Sequence, residues 1–328
     1  MVYLNSSLAP ITCIISTLTF ILCLVLYMNS SDIRLSGLNI IGYQKYQSVE
    51  RKQYEYINPL IRSETSFQTV SKSICNSDKE KVELIKSVSF ENLGPEYDEN
   101  LRSLFYDVIS NPLGGICSSL KRFGGAYRKD CHYWDGHKFV CVPELIKDIR
   151  NDECLVYTFG VSNDWSFEAE IGEMGCKVFS FDPTVDHPKQ LEDNVWFEKL
   201  GLGIEKDSSR SLDSLSSILH NHGHTNTKIS YLKIDIEGGE IEGLKHWFES
   251  GALDNVQQIG MEYHLNQKNN PTNYTLKLFS AIQQIYLESD FRLISFDINA
   301  CYGKSHHGYP ELAEIVLMRS SESNLCPN

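Results

Sequence analysis

From Cys154 to the carboxyl terminus, short apolar runs alternate with stretches whose apolar residues recur every three or four positions. That alternation leaves few folds open. Strand, helix and strand joined by right-handed crossovers build a mostly parallel sheet with helices on both faces. CLVYTF (Cys154 to Phe159), KVFSF (Lys177 to Phe181), NVWFEKL (Asn194 to Leu200), ISYLKIDI (Ile229 to Ile236) and VQQIGME (Val256 to Glu262) read as strands. Between them, Phe167, Ile171 and Met174 repeat at helical spacing, with Gly175 as a C-cap. So do Leu212, Leu215 and Leu219, then Ile241, Leu244 and Phe248, then Leu278, Ile282 and Ile285. FRLISFD (Phe291 to Asp297) and ELAEIVLM (Glu311 to Met318) have no helix between them and close the sheet with an antiparallel edge strand.

The chain ahead of this region is organised differently. Leu8 to Met28 is a 21-residue run without a charge, and about 20 apolar residues span a bilayer core as a helix. No Lys or Arg precedes it, and it runs on to bulky Leu26, Tyr27 and Met28, so a retained signal-anchor is favoured over a cleaved secretory signal. Residues 1–31 are therefore read as tail and anchor, 32–100 as a polar stem, and 101–328 as the domain. Leu101, Leu104, Phe105, Val108 and Ile109 open that domain with one helical face. Cys131 to Cys141 (CHYWDGHKFVC), with its Asp135-Gly136 turn, reads as a β-hairpin. Its Cys and His spacing matches no common zinc site, and His220, His222 and His224 read as a solvated loop.

Orientation rests on opposing signals. Arg34 and Lys45 follow the span, which favours a cytoplasmic domain. Cys75, Cys117, Cys131, Cys141, Cys154, Cys176, Cys301 and Cys326 form an even set beyond the span, which suits an oxidising lumen. Asn273-Tyr274-Thr275 is a glycosylation sequon. Long domains translocate largely regardless of flanking charge, so the expectation is a single-pass, type II protein with an ER or Golgi lumenal domain, secreted if the segment is cleaved. A net charge of -13 argues against a nucleic-acid backbone as partner.

Ligands of such sheets bind at the carboxyl ends of the strands. Strand one ends in Gly160-Val161-Ser162-Asn163-Asp164, a small polar turn entering a helix. Strand two ends in Asp182, at the distance where an acid grips a ribose diol. ISYLKIDI leads into Asp235-Ile236-Glu237-Gly238-Gly239-Glu240, and VQQIGME into Glu262-Tyr263-His264. Singly, Gly160 is a loop glycine, Asp182-Pro183 a turn, and Asp235 and Glu237 helix-capping acids. Together at the strand ends they point to a nucleoside site. The absence of G-x-G-x-x-G argues against a nicotinamide dehydrogenase.

At these residues the sequence resembles a known family. YTFGVSNDWSFE (Tyr157 to Glu168), VFSFDPT (Val178 to Thr184), YLKIDIEGGE (Tyr231 to Glu240) and QIGMEYH (Gln258 to His264) are similar to the FkbM-related class I methyltransferases, in their membrane-anchored animal branch. The resemblance covers roughly residues 117–318. It implies a seven-stranded, doubly wound, Rossmann-like α/β sheet and S-adenosylmethionine as cofactor. By that resemblance Phe159, Gly160, Ser162 and Asp164 belong to the cofactor turn, and Asp182 takes the ribose hydroxyls. Asp235 and Glu237 stand beside the sulfonium and the acceptor. Two departures are visible: Thr158 stands where the family carries an acid, and Ser162 replaces a second glycine.

Methyl transfer is an in-line displacement, so the protein chiefly supplies orientation, and a hydroxyl acceptor also needs a base within reach. His264 is the first choice, with Asp235 or Glu262 as alternatives. The expected acceptor is a glycan or protein hydroxyl, and no metal is required. Two rivals come from other classes: a lumenal glycosyltransferase, and a non-catalytic nucleoside-binding protein that keeps the fold.

Overall fold

The computed structural model describes residues 77–86, 97–265, 271–302 and 309–320, all within the compact unit Ser63–Asn328. The apolar run 8–28, most of the stem, Cys75 and Cys326 lie outside the described residues. Among the described residues no helix is long and apolar enough to cross a membrane.

Helix α1 (77–86) and helix α2 (Tyr97–Ile109) precede a ribbon of four short strands. These are β1 (Leu120–Phe123), β2 (Ala126–Arg128), β3 (Tyr133–Asp135) and β4 (Lys138–Cys141). Then come α3 (Val142–Arg150), β5 (Leu155–Phe159), α4 (Ser166–Glu173), β6 (Lys177–Phe181), β7 (Gln190–Glu192) and β8 (Val195–Glu198). The chain continues through β9 (Gly201–Gly203), β10 (Leu212–Ser214), α5 (Leu215–Asn221), β11 (Tyr231–Ile234) and α6 (Gly239–Glu249). It closes with β12 (Gln258–His264), α7 (Pro271–Glu288), β13 (Phe291–Ile298) and β14 (Leu312–Arg319).

Eight strands form the main sheet, in the order β13-β14-β12-β11-β5-β6-β8-β7. β12, β11, β5, β6 and β8 run parallel, and β14 lies antiparallel between β12 and β13. The sequence predicts seven strands. The eighth is β7, which turns back onto β8 at the far edge over only three residues, too short to show an alternation. Chain direction along the sheet reverses between β5 and β11, which makes their carboxyl ends the switch point.

Alternation along the central strands explains the layering. Leu155, Tyr157 and Phe159 face one core with Leu232, Ile234, Trp247 and Phe279; Val156 faces another with Val178, Phe167 and Ile171. Strands with cores on both sides read as continuous apolar runs, as these do. β12 is buried along its whole length although it carries Glu262 and His264, so both must be satisfied internally. Gly260 sits mid-strand because a Cβ there would come within 1.7 Å of the Tyr231 hydroxyl, which donates to Phe139 O at 2.8 Å.

Three local expectations change. Cys131 to Cys141 does not close on itself: β2 pairs with β3 and β1 with β4, in nested fashion. Cys141 bonds Cys117, and Cys131 bonds Cys301 across 170 residues. A third bridge, Cys154–Cys176, joins the starts of β5 and β6. In the chain-entropy model such closures are worth roughly 3–5 kcal/mol each. Leu212 lies in a short strand paired with β9, and the helix begins at Leu215, where Ser214 Oγ caps Ser217 N at 3.2 Å. Finally, α1, from the stem region, packs into the fold: Ile85 is fully buried, and Asp78 pairs with Arg292 at 2.7 Å. The histidines after α5 lie against aromatic rings, with His224 Nδ1 2.7 Å from the Tyr157 hydroxyl.

Candidate functional site

A cavity of about 750 Å³ opens at the switch point, within the range of small-molecule sites. Its floor is the turn after β5. Gly160 has φ +83°, and a Cβ on it would lie 1.6 Å from Asp235 O, so only glycine lets the ends of β5 and β11 approach this closely. Ser162 also has positive φ, and its N–H donates to Asp182 Oδ2 at 2.8 Å. The other Asp182 oxygen accepts from Thr184 N at 2.7 Å and Thr184 Oγ1 at 2.6 Å. Asp164 Oδ1 accepts from Ser166 N at 3.0 Å at the start of α4. Beneath the turn, Lys233 and Glu168 form a buried ion pair at 3.1 Å, so a buried acid from α4 stands below a strand that carries Thr158.

The opposite wall is crowded with charge. Asp235 follows β11, Glu262 and His264 end β12, and Glu314 lies directly across the ladder from Glu262. Lys138, reaching in from β4, donates to Glu314 Oε1 at 2.7 Å and Asp235 Oδ2 at 3.1 Å while almost fully buried. Burial opposes the charge on Lys138, but Asp235, Glu314 and Glu262 outweigh it and raise its pKa. Burial alone would raise Asp235; Lys138, Lys233 and His264 hold it below the ordinary range. Glu314 is pushed up by burial and by Glu262 and Asp235 against the pull of Lys138. Glu262 is pushed up to about 7 by burial and the Asp235 carboxylate, against Lys138 and His264. Its Oε1 accepts from Asn299 Nδ2 at 2.8 Å.

His264 is not the near-neutral imidazole that its ordinary pKa of about 6.5 suggests. Burial would lower it, but the hydrogen bond and charge of Glu240, followed by Glu262 and Asp235, raise it to about 9. In this setting it carries a proton at neutral pH, and Glu262 is the group poised to exchange one.

The cavity thus brings together Gly160, Ser162, Asp164, Asp182, Asp235, Glu237, Glu262 and His264. Phe159 is the exception. Its side chain is buried in the core, stacked on Phe181 at 5.0 Å, and it serves the site only through its carbonyl, which accepts from Asp235 N at 3.0 Å. Lys138, Glu240, Asn299 and Glu314 escape sequence reasoning because each enters through long-range pairing. Glu240 alone carried a signal, as the last residue of the acidic block after β11. Among the described residues, two trios of donor atoms lie within 4.8 Å of one another: Asp235, Glu237 and His264, and Asp235, Glu262 and Glu314. In the second trio Lys138 already supplies positive charge, to Asp235 and Glu314.

A ligand-sized cavity at the switch point of a doubly wound sheet stands where α/β proteins of this architecture bind their ligands. The sequence narrows this further. Residues 63–307, about three quarters of the chain, match the family model described as a methyltransferase domain, and the chain belongs to that family. Among curated proteins it is similar to "Probable methyltransferase-like protein 24" of Homo sapiens, 28% identical over 172 residues that cover 47% of this chain and 46% of that protein. The Rattus norvegicus protein of the same name is 30% identical over 141 residues, covering 39% of this chain and 38% of that one. The matches span less than half the length of these relatives. Among solved structures, the chain is similar to SMU.1697c of Streptococcus mutans in complex with SAH, with a TM-score of 0.29, 10% identity and coverage of 51% of this chain and 86% of that one. A fibrillarin/Nop5p complex scores 0.32 at 10% identity, covering 60% and 90%. Likenesses this low in score identify neither ligand nor reaction.

Proposed function

We propose that the protein is an S-adenosylmethionine-dependent methyltransferase of the FkbM-related, membrane-anchored branch, acting in the secretory pathway on a glycan or protein hydroxyl. The observation that carries this reading is the cavity at the β5/β11 switch point, walled by the Gly160 turn, Asp182 and Asp235, in a chain of the methyltransferase-domain family. The donor set suits a cationic nucleoside: acids stand at three strand ends, and Gly160 lets the ends of β5 and β11 close up so that Asp182 and Asp235 line one cavity. When bound, the cofactor supplies an electrophilic methyl group. Asp182 and the Ser162 turn would hold the nucleoside, and Asp235 and Glu237 would face the positive charge. Glu262, with a pKa about 7, would take the acceptor's proton as the acceptor oxygen gains the methyl group.

The test is a ligand panel against the full-length protein. S-adenosylmethionine and S-adenosylhomocysteine are expected to raise the unfolding temperature, because each binds only the folded form. Stabilisation instead by a nucleotide sugar with a divalent metal would replace this reading with a glycosyltransferase. One observation favours a second reading, a binding protein without turnover: at the Gly160 turn, Thr158 stands where the family carries an acid and Ser162 replaces a second glycine. Transfer of labelled methyl groups to secretory membranes separates the two, since the binding protein transfers none.

The lumenal placement carries its own test. Three disulfides within the described residues and the sequon at Asn273 support it. Mass spectrometry of the protein from animal secretory cells should find sugar on Asn273 and few free thiols. An unmodified Asn273 with alkylatable cysteines would place the domain in the cytoplasm.

A further inference from the structure

His264 ends β12 with its side chain 3% exposed. Its backbone N–H and its Nδ1–H both donate to one oxygen of Glu240, each at 2.9 Å. Glu240 is itself fully buried, and its two oxygens accept from Gly238 N at 3.1 and 3.0 Å. A carboxylate held this way selects the tautomer and fixes the ring plane of its histidine. Nε2 is then turned toward the cavity, where it meets Glu237 at 3.5 Å, Glu262 at 3.7 Å and Asp235 at 4.0 Å. Around these acids also lie Lys138, on Asp235 and Glu314, Lys233, whose charge holds Asp235 down, and Asn299, on Glu262.

We propose that Glu240 is a positioning residue for His264, and that the proton held on this imidazole is a resident counter-charge for Asp235, Glu237 and Glu262, released when a cationic ligand binds beside those carboxylates. The inference rests on the methyltransferase reading, whose cofactor carries a sulfonium charge that its product lacks. The exchange balances: one positive charge enters with the cofactor, and one proton leaves Nε2 for the solvent. His264 is left neutral, with an Nε2 lone pair facing the cavity beside Glu262. The electrostatics run the same way. Burial already disfavours the imidazolium, which persists because of the carboxylates around it. A second positive charge among those carboxylates weakens their hold, and charges at 4–6 Å move a pKa by about 1–3 units. The product, neutral at sulfur, leaves the proton in place.

Calorimetry on the full-length protein near pH 8, in two buffers of different ionisation enthalpy, counts protons released on binding. S-adenosylmethionine is expected to release roughly half a proton or more, given shifts of that size, S-adenosylhomocysteine close to none, and His264→Gln to abolish the difference. Equal release with both ligands, or release unchanged in His264→Gln, overturns the exchange. A ligand-free measurement decides the role of Glu240. The imidazole NMR resonance that disappears in His264→Gln should titrate near pH 9 in the wild type. In Glu240→Gln it should titrate at least one unit lower, and an unchanged midpoint overturns the positioning role. Should Glu240→Gln fail to fold, Glu240→Asp, which keeps the charge but shortens its reach, takes its place with the same expected fall. If neither ligand binds, the cofactor reading fails and the exchange falls with it, while the titration still decides Glu240.

Discussion

On one side of the cavity Asp182 is held by neutral donors, the N–H groups of Ser162 and Thr184 and the Thr184 hydroxyl. On the other, Asp235, Glu262 and Glu314 crowd around the ammonium of Lys138, with the imidazole of His264 beside them. Both walls are built of buried carboxylates, yet their physics differs. Fixed dipoles stabilise a carboxylate without creating a competing proton site, which suits a binding wall. A cluster with too many acids for its cations must keep a proton among them, and Glu262, pushed up to about 7, is where it exchanges near neutral pH. Under the proposed function, proton transfer would fall to the second wall and recognition to the first.

Substitutions can break that division. The largest effect is expected at Glu262: Glu262→Gln should lower methyl transfer to secretory membranes by roughly 10²- to 10⁴-fold, the usual contribution of a general base. Cofactor affinity should stay within a few-fold, and undiminished transfer would take Glu262 out of the chemistry. Next is Lys138→Met, which strands Asp235 and Glu314 without their ammonium and should cost about 3–5 kcal/mol in urea unfolding. Adding Glu314→Gln should recover part of that loss, and a stable single mutant would show that the acids carry their own protons. A smaller effect is expected across the cavity. Asp182→Ala should weaken cofactor binding by about 1.5–3 kcal/mol, the range for hydrogen bonds to charged groups. Equal calorimetric affinity would return Asp182 to a purely structural role, clamping the Ser162 turn.

How much of this was legible follows from where each residue sits. Gly160, Asp182, Asp235, Glu262 and His264 stand at the ends of apolar runs, and the runs mark the strands, so their convergence could be read directly. Phe159 enters the cofactor turn only through the resemblance, whereas strand alternation turns its side chain to the core with Tyr157. Glu314 sat in a recognised strand, but only the antiparallel register sets it opposite Glu262. Lys138 was hidden by the supposed hairpin. The two glycine turns of the ribbon admit either pairing, and Gly125 decides it by backing onto His137, where a Cβ would lie 2.8 Å from the His137 N. A period of two reveals the face of a strand and says nothing of its partner.

The smallest expected effect separates the walls without any ligand, through the pH dependence of stability. Glu262 titrates at about 7 in the folded protein and at 4.5 as an ordinary glutamate. A group with a raised folded pKa contributes stability that is fully present below its unfolded pKa and lost as pH rises through the folded one. Its contribution therefore fades between about 4.5 and 7. His264 follows the same rule from 6.5 to about 9, because the folded protein holds its proton longer than the unfolded chain does. Asp235, held low, matters only below 3.8. His224, pushed down by burial and by His222 and Lys177, works in the opposite sense below 6.5. Glu314, pushed up by burial and its neighbouring acids, adds to the fall, while Lys81, pushed down to about 8 by burial, works against it above that pH. The unfolding free energy in urea should accordingly fall from pH 5 to pH 8, by at most about 1.4 kcal/mol per pH unit for each group. Glu262→Gln should flatten the lower half of that slope and His264→Gln the upper half. An unfolding free energy that rises across the range would mean that the acids of the β12 wall are ionised and paired like ordinary salt bridges, and the contrast between the two walls would be lost.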